Sequence, residues 1–386
     1  MRSSSSASKA AVIVGVDDIV GDSAKNRSPD DLTIATSYAA LADAGIDPSE
    51  VDAVFCASPH DNMPSLRLAE ILQVNPRYFD GTSIGGGSYE SFVGHAALAL
   101  ESGSCDVALL AYGSAQRSAR GSFTTRSAPP PAEVASGMIY PASSFALMAT
   151  RYLEVYGGGP EQLAEVAVSA REWARHNPRA ARRELLTVED VIASPVVSSP
   201  LRKLDCCLVT DGAGAVVMTR ADRAAHLPKR PVHVRGFADA STHRFVSAMP
   251  DLLTTAAAKS GPNALRMAGM EISDIDLFEI YDAFTIDVLL ILEDLGVCGR
   301  GEAGKLFLAG DTRPGGRLPI NTNGGGLSYA HPGMYGIFLL VEAVRQLRGE
   351  SQGYQVSDPN TALVHGLGGP LSSGSTVVLA NEGQLA

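Results

Sequence analysis

The chain repeats itself, and that constrains the fold more than any single motif, because two copies of one unit have to share a core. Near the start, Ala11-Val-Ile-Val-Gly15 reads as a short apolar strand. A helical stretch follows, ending Ala39-Ala-Leu-Ala-Asp-Ala-Gly45, then Ile46-Asp-Pro-Ser-Glu50 and a second strand, Val51-Asp-Ala-Val-Phe-Cys56. The pattern returns about 220 residues later: Val232-His-Val-Arg-Gly236 is the strand and Asn263-Ala-Leu-Arg-Met-Ala-Gly269 ends the helix. Glu271-Ile-Ser-Asp274 then leads into Ile275-Asp-Leu-Phe-Glu-Ile280. In both copies a glycine stands where the helix should stop, since glycine adopts the left-handed conformation cheaply. The closing strands correspond as well, Asp211 to Met218 and Ser372 to Leu379. Short Val/Ile-rich strands alternate with helices, which predicts α/β sheets covered by helices on both faces. The expected organisation is two similar α/β halves, residues 1–230 and 231–386.

The first half carries an insertion at about residues 114–200. It opens on a Ser-, Arg- and Pro-rich loop, Ser114 to Pro131, followed by a helix-like run from Glu161 to Arg175. A long irregular segment on one half is a candidate substrate cover.

Charge and composition narrow the function. With 31 basic and 42 acidic residues the net charge is −11, and no dense basic run offsets it, so a nucleic-acid partner is not expected. No stretch reaches the roughly 18 consecutive apolar residues of a membrane span. The Ser-rich start, Met1 to Ala10, lacks the apolar segment of a signal peptide. The five cysteines (Cys56, Cys105, Cys206, Cys207 and Cys298) have no metal-ligand spacing, and their odd number fits a reducing cytoplasm. A soluble cytoplasmic protein without a metal is expected.

Three further segments carry a family resemblance: Asn321-Thr-Asn-Gly-Gly-Gly-Leu327, Ala330-His-Pro-Gly-Met-Tyr-Gly336 and His365-Gly-Leu-Gly-Gly369. With the paired halves, these resemble the thiolase superfamily over nearly the whole chain. Glu342 to Gly349 looks like the lipid-transfer-protein or sterol-carrier branch. The resemblance implies a thiolase fold, two pseudo-symmetric halves forming a five-layered αβαβα sandwich. It also implies a tight homodimer and a substrate carried as a CoA thioester, with no tightly bound cofactor.

Thiolases place a nucleophilic cysteine at the start of a buried helix, where the dipole favours thiolate. The matching stretch here is Thr82-Ser-Ile-Gly-Gly-Gly-Ser88, and Gly85 falls at the cysteine position. Gly85, Gly86 and Gly87 read either as a tight strand-to-helix turn or as a nest of N–H groups lining the acyl pocket. A second family cysteine corresponds to Val364, with His365 adjacent; His365 is either structural or, with a one-residue change of register, catalytic. His331 matches the family His-Pro segment, where an imidazole N–H would stabilise a thioester enolate, or it is a turn residue. Tyr281, in Tyr281-Asp-Ala-Phe284, stands where thiolases usually carry Asn or His. It ends a predicted strand, where ligands gather in such sheets. It is either a core tyrosine or a donor and base, the latter as a phenolate whose pKa nearby donors lower. Asp282 is expected to cap the following helix. Tyr335 and Tyr329, flanking His331, are secondary candidates.

Without the cysteine an acyl-enzyme has no nucleophile, but an enolate-stabilising pocket can survive. The reaction that needs only that pocket is retro-aldol cleavage of a β-hydroxyacyl-CoA, with Tyr281 and His331 as base and donor. Cysteine-less members of the branch include aldolases acting on steroid side-chain CoA esters, and the resemblance implies a complex with an OB-fold, zinc-ribbon protein. Two alternatives stand beside it: an acyltransferase using Ser88 with His365, and a non-catalytic acyl-CoA or lipid scaffold. Arg171, Arg175, Arg179, Arg182 and Arg183 form the densest basic stretch. It is either a solvated face or, through Arg182 and Arg183, a phosphate site.

Overall fold

A computed structural model describes residues 10–59, 61–119 and 129–381. The Ser-rich start and the heart of the expected cover loop, residues 120–128, lie outside the described residues.

The strands are β1 (Ala11–Ile19), β2 (Ala53–Phe55), β3 (Tyr78–Asp80), β4 (Ala108–Ser114), β5 (Val196–Ser198), β6 (Leu201–Arg202), β7 (Gly212–Arg220), β8 (Val232–Ser241), β9 (Leu277–Ile280), β10 (Thr361–Gly368) and β11 (Ser373–Ala380). β5 and β6 form a small ribbon, and the others run in the order β3-β2-β4-β7-β1-β8-β11-β10-β9. The first half supplies everything up to β1, and the second half everything from β8. The two half-sheets join where Val12 and Ile13 pair with His233 and Val232. Within each half the arrangement matches: β2–β4 and β9–β10 are parallel, while β4–β7, β7–β1, β10–β11 and β11–β8 are antiparallel.

The longer helices are α1 (Pro29–Ala44), α2 (Pro64–Leu72), α3 (Ser88–Glu101), α4 (Ala142–Tyr156), α5 (Pro160–His176), α6 (Ala257–Ala268), α7 (Thr285–Leu295) and α8 (Gly336–Arg348). α1 packs on β1, β4 and β7, and α6 packs on β8 and β11. Helices α3 and α8 lie between the half-sheets and touch strands of both. The order is therefore helix, sheet, helix pair, sheet, helix. Strand alternation sorts the core accordingly: Val12, Val14 and Val217 face α1 and α2, whereas Ile13, Val16 and Val216 face the central helices. Helices enclosed on all sides are apolar nearly all round, and every residue from Gly336 to Leu347 is buried. The repeat's stop signals behave as read: Gly45 and Gly269 take φ of 68° and 70° at the ends of α1 and α6.

Two cavity-forming consequences matter for function. β9 delivers Tyr281 at its C-terminal end, beside the glycines of β10. The insertion places α4, α5 and the β5–β6 ribbon over that same end.

Candidate active site

The site is organised around the Tyr281 hydroxyl. It donates to Gly333 O (2.9 Å), accepts from the Tyr335 backbone N–H (3.1 Å), and lies 3.0 Å from His331 Nε2. The rings of Tyr281 and Tyr335 meet edge to face at 5.7 Å, and His331 stacks on Tyr335 at 5.9 Å. Tyr335 in turn donates to Asn323 Oδ1 (3.0 Å). The His331 backbone is held by Thr210, whose Oγ1 accepts from its N–H at 2.9 Å. Tyr112, reaching from β4, donates to Pro332 O (2.8 Å) and so fixes the turn that carries Gly333.

Electrostatically the pair is neutral. Burial pushes the His331 imidazole down to about 4 and lifts the Tyr281 phenol well above its usual value. Of the alternatives open from the sequence, the phenolate with a lowered pKa is overturned: desolvation outweighs the N–H donor from Tyr335. Asp282 is a second correction. It does not cap α7; Asp287 does, accepting from Phe284 N at 2.9 Å. Asp282 instead accepts from Gly326 N (2.6 Å) and Leu327 N (3.2 Å), bracing the 325–329 turn behind His331, and burial raises its carboxyl to about 7.

The triple glycine has a steric cause. At Gly85 (φ 95°) a β-carbon would lie 2.5 Å from Gly368 Cα, and at Gly87 it would lie 2.7 Å from Gly366 C. At Gly86 it would fall 2.4 Å from the Tyr281 hydroxyl. The helix start therefore has no room for a nucleophilic side chain, and the phenol fills the space above it. Of the expected nest, the Gly87 N–H is committed to Leu367 O at 2.7 Å. Ser88 Oγ is used inside its own turn, donating to Gly85 O (2.7 Å) and accepting from Ile84 N (3.0 Å).

His365 is not part of this cluster. Its Nδ1 lies 2.8 Å from Thr376 Oγ1, and its Cε1 faces Gly374, on the α6 side of β10. Alternation along the strand turns Gly366 and Gly368 toward α3 and His365 away, so His365 and Ser88 do not pair. Tyr329 also belongs elsewhere, hydrogen-bonding Asp18 within a buried cluster with Arg179 and Arg345.

A cleft of about 520 Å³ opens beside the site, lined by Arg117, Arg171, Arg182, Lys203, Phe284 and Leu327 among others. Thr210, which holds His331, is part of its wall. The arginine stretch divides: Arg182 lines the cleft, Arg179 is spent on Asp18 (2.8 Å), and Arg183 is exposed outside the lining. Tyr112, Asn323 and the bracing role of Asp282 were missed by sequence reasoning. Asn323 lay in a quoted motif, but nothing local signals a partner on another element.

Comparison with known proteins agrees with this architecture. Residues 238–381 match the family model described as thiolase C-terminal domain-like. An acetyl-CoA acetyltransferase of Methanothermobacter thermautotrophicus is 34% identical over 88% of this chain and 91% of its own. The chain belongs to the thiolase superfamily. Within the sterol-carrier thiolase-like group, a 17-hydroxy-3-oxo-4-pregnene-20-carboxyl-CoA lyase of Mycobacterium tuberculosis is 33% identical over 94% of this chain and 97% of its own. The solved structure described as an Ltp2-ChsH2(DUF35) aldolase superposes with a TM-score of 0.87 at 30% identity, covering 98% of this chain and 100% of that one. Identity alone does not separate acyl transfer from carbon–carbon cleavage among thiolase-superfamily relatives so evenly matched.

Proposed function

We propose that this thiolase-superfamily protein is a carbon–carbon lyase that cleaves a β-hydroxyacyl-CoA by a retro-aldol reaction, without an acyl-enzyme. The observation that carries this reading is the Tyr281 hydroxyl over Gly86, one residue after Gly85, the position the family resemblance gives the thiolase nucleophile. The substrate's β-hydroxyl loses its proton, its carbon–oxygen bond becomes a carbonyl, and the Cα–Cβ electron pair passes to the thioester as an enolate. Because Tyr281 and His331 are both neutral at rest, the phenol relays the proton: its hydrogen turns from Gly333 O to an unprotonated Nε2 and passes to it as the phenol oxygen accepts the substrate's. The relay then reverses: the phenol delivers a proton to Cα as Nε2 returns one to the phenol oxygen, which completes the acyl-CoA product and restores both neutral groups. Tyr335 holds the phenol in place.

The cleft offers Arg117, Arg182 and Lys203 to the phosphates of CoA. The substrate class named for the mycobacterial relative, a steroid side-chain CoA ester, is the one we assign. A homodimer is expected for the fold; the ChsH2(DUF35) component named in the aldolase neighbour supports a partner protein, to which we assign an OB-fold with a zinc ribbon. The five cysteines are free thiols, which favours the cytoplasm. No helix among the described residues is long and apolar enough to cross a membrane.

Incubation with a β-hydroxyacyl-CoA, with and without the partner, tests the reading. Release of a ketone or aldehyde plus a shorter acyl-CoA, independent of free CoA, is expected. A requirement for free CoA would favour the acyltransferase reading that the archaeal relative supports, and no release at all would leave a binding scaffold.

A further inference from the structure

Behind the site two glutamates converge on one hydroxyl. Glu279 is on β9, two residues before Tyr281, and Glu342 is on α8, whose first residue follows Tyr335. Both are buried, as is Thr322 between them. Thr322 Oγ1 lies 2.8 Å from Glu279 Oε1 and 2.7 Å from Glu342 Oε1. A hydroxyl carries one hydrogen and can donate to only one of them. The other oxygen is at hydrogen-bond distance without a hydrogen between, unless its own carboxyl is protonated.

We infer that Glu279 and Glu342 share a single proton through Thr322, with Glu279 as the neutral acid, and that this proton is a positioning device for Tyr281 and Tyr335. The assignment follows from the surroundings. Glu342 Oε1 also accepts from Gln346 Nε2 (2.9 Å), and Arg345, three residues on along the same helix, draws its carboxyl down. Glu279 accepts from the Thr322 backbone N–H (3.1 Å), but its Oε2 is buried without a hydrogen-bond partner among the described residues. A negative charge is better supported on Glu342. Burial raises both carboxyls, and repulsion from Glu342 helps to lift that of Glu279 well above its usual value. The other charged or titratable groups facing the pair are Asp282, Asp18, Arg345 and Tyr335.

The connection to the site is short. Ile280 N donates to Asn321 Oδ1 (2.7 Å), and Asn323 accepts the Tyr335 hydroxyl (3.0 Å). The 321–323 segment thus ties β9 to α8, and Thr322 is its midpoint. Losing the proton would set two carboxylates against one hydroxyl and push apart the elements that bring Tyr335 N to the Tyr281 oxygen.

The inference rests on the lyase reading for its link to turnover, so the experiment has two independent readouts. Infrared spectra of the full chain at pH 7 report protonated carboxyls directly. The wild-type minus Glu279→Gln difference should contain a carboxylic-acid C=O band, and the wild-type minus Glu342→Gln difference should show loss of a carboxylate band instead. Absence of the acid band in the first difference would overturn the shared proton. In kinetics, Glu279→Gln should keep kcat within about twofold at pH 7, because its amide donates to Thr322 as the acid does, while Glu279→Ala loses about tenfold or more. The fall in kcat at alkaline pH should vanish in Glu279→Gln. An unchanged alkaline fall would overturn the positioning role. A wild-type protein without lyase turnover would sink the reading of the site instead, with the infrared result still deciding the proton.

Discussion

A β-carbon at residue 86 would lie 2.4 Å from the hydroxyl oxygen of Tyr281. The relationship is exclusive: the helix start can carry a side chain, or the phenol can occupy the pocket, but not both. A missing cysteine alone describes a thiolase that has lost its nucleophile. A phenol held over the neighbouring Gly86 by Gly333, Tyr335 and His331 supports a different reaction.

If Tyr281 relays the proton with His331, they act as a unit. Tyr281→Phe and His331→Ala should each reduce kcat by about 10²–10⁴. The double variant should be little worse than the poorer single variant. Circular dichroism should show each fold intact, although Tyr281→Phe leaves the Tyr335 N–H unpaired at a cost of about 1–3 kcal/mol. Fully multiplicative losses would separate the two roles.

Gly86→Ala is expected to abolish cleavage in a protein that still folds, since its methyl displaces the phenol. Overpacking of this kind costs about 1–3 kcal/mol, so thermal melting should show a lowered but cooperative transition. Retained activity in that variant would remove Tyr281 from the chemistry.

Glu90 gives a pH signature with an unusual sign. It is buried beside Gly336 and Gly366, both carboxyl oxygens lack a partner among the described residues, and desolvation raises it to about 8 from 4.5. The folded state therefore binds this proton more tightly than the unfolded chain does. Its contribution to stability is full below pH 4.5 and declines as pH rises toward 8, by at most about 1.4 kcal/mol per pH unit. Melting temperatures of wild type and Glu90→Gln from pH 5 to 8 should diverge, the variant gaining as pH rises. A constant difference would mean that Glu90 does not titrate there.

Arg182 and Arg183 are neighbours in sequence but not in role. Arg182→Ala should raise KM for the acyl-CoA several-fold, with kcat nearly unchanged, because a phosphate contact binds ground state and transition state alike. Arg183→Ala should leave both constants as they were. Equal effects from the two substitutions would take the nucleotide out of this cleft.

How far the residues reveal these relationships depends on the range of the interaction involved. Repeat length, strand and helix identity and the stops at Gly45 and Gly269 were legible, because periodicity and capping are written in contiguous residues. So were the triple glycine that begins at Gly85 and the polar groups Tyr281, His331 and Tyr335. The assignment of His365 was not: on β10 one residue decides which face a side chain takes, and only the register with β9 and β11 settles it. The lowered phenol pKa failed for a related reason, since the count of donors was legible but the burial that outweighs them was not. Asp282 read as a cap because the turn it braces, 325–329, is remote in sequence.

The sequence by itself thus determined a repeated α/β pattern, its helix ends and a triple glycine where the family resemblance places a cysteine. The tertiary structure decided what stands above that glycine run. It brought Gly86 of the first half under Tyr281 of the second, where close packing leaves room for one group only, and burial made that group a neutral phenol.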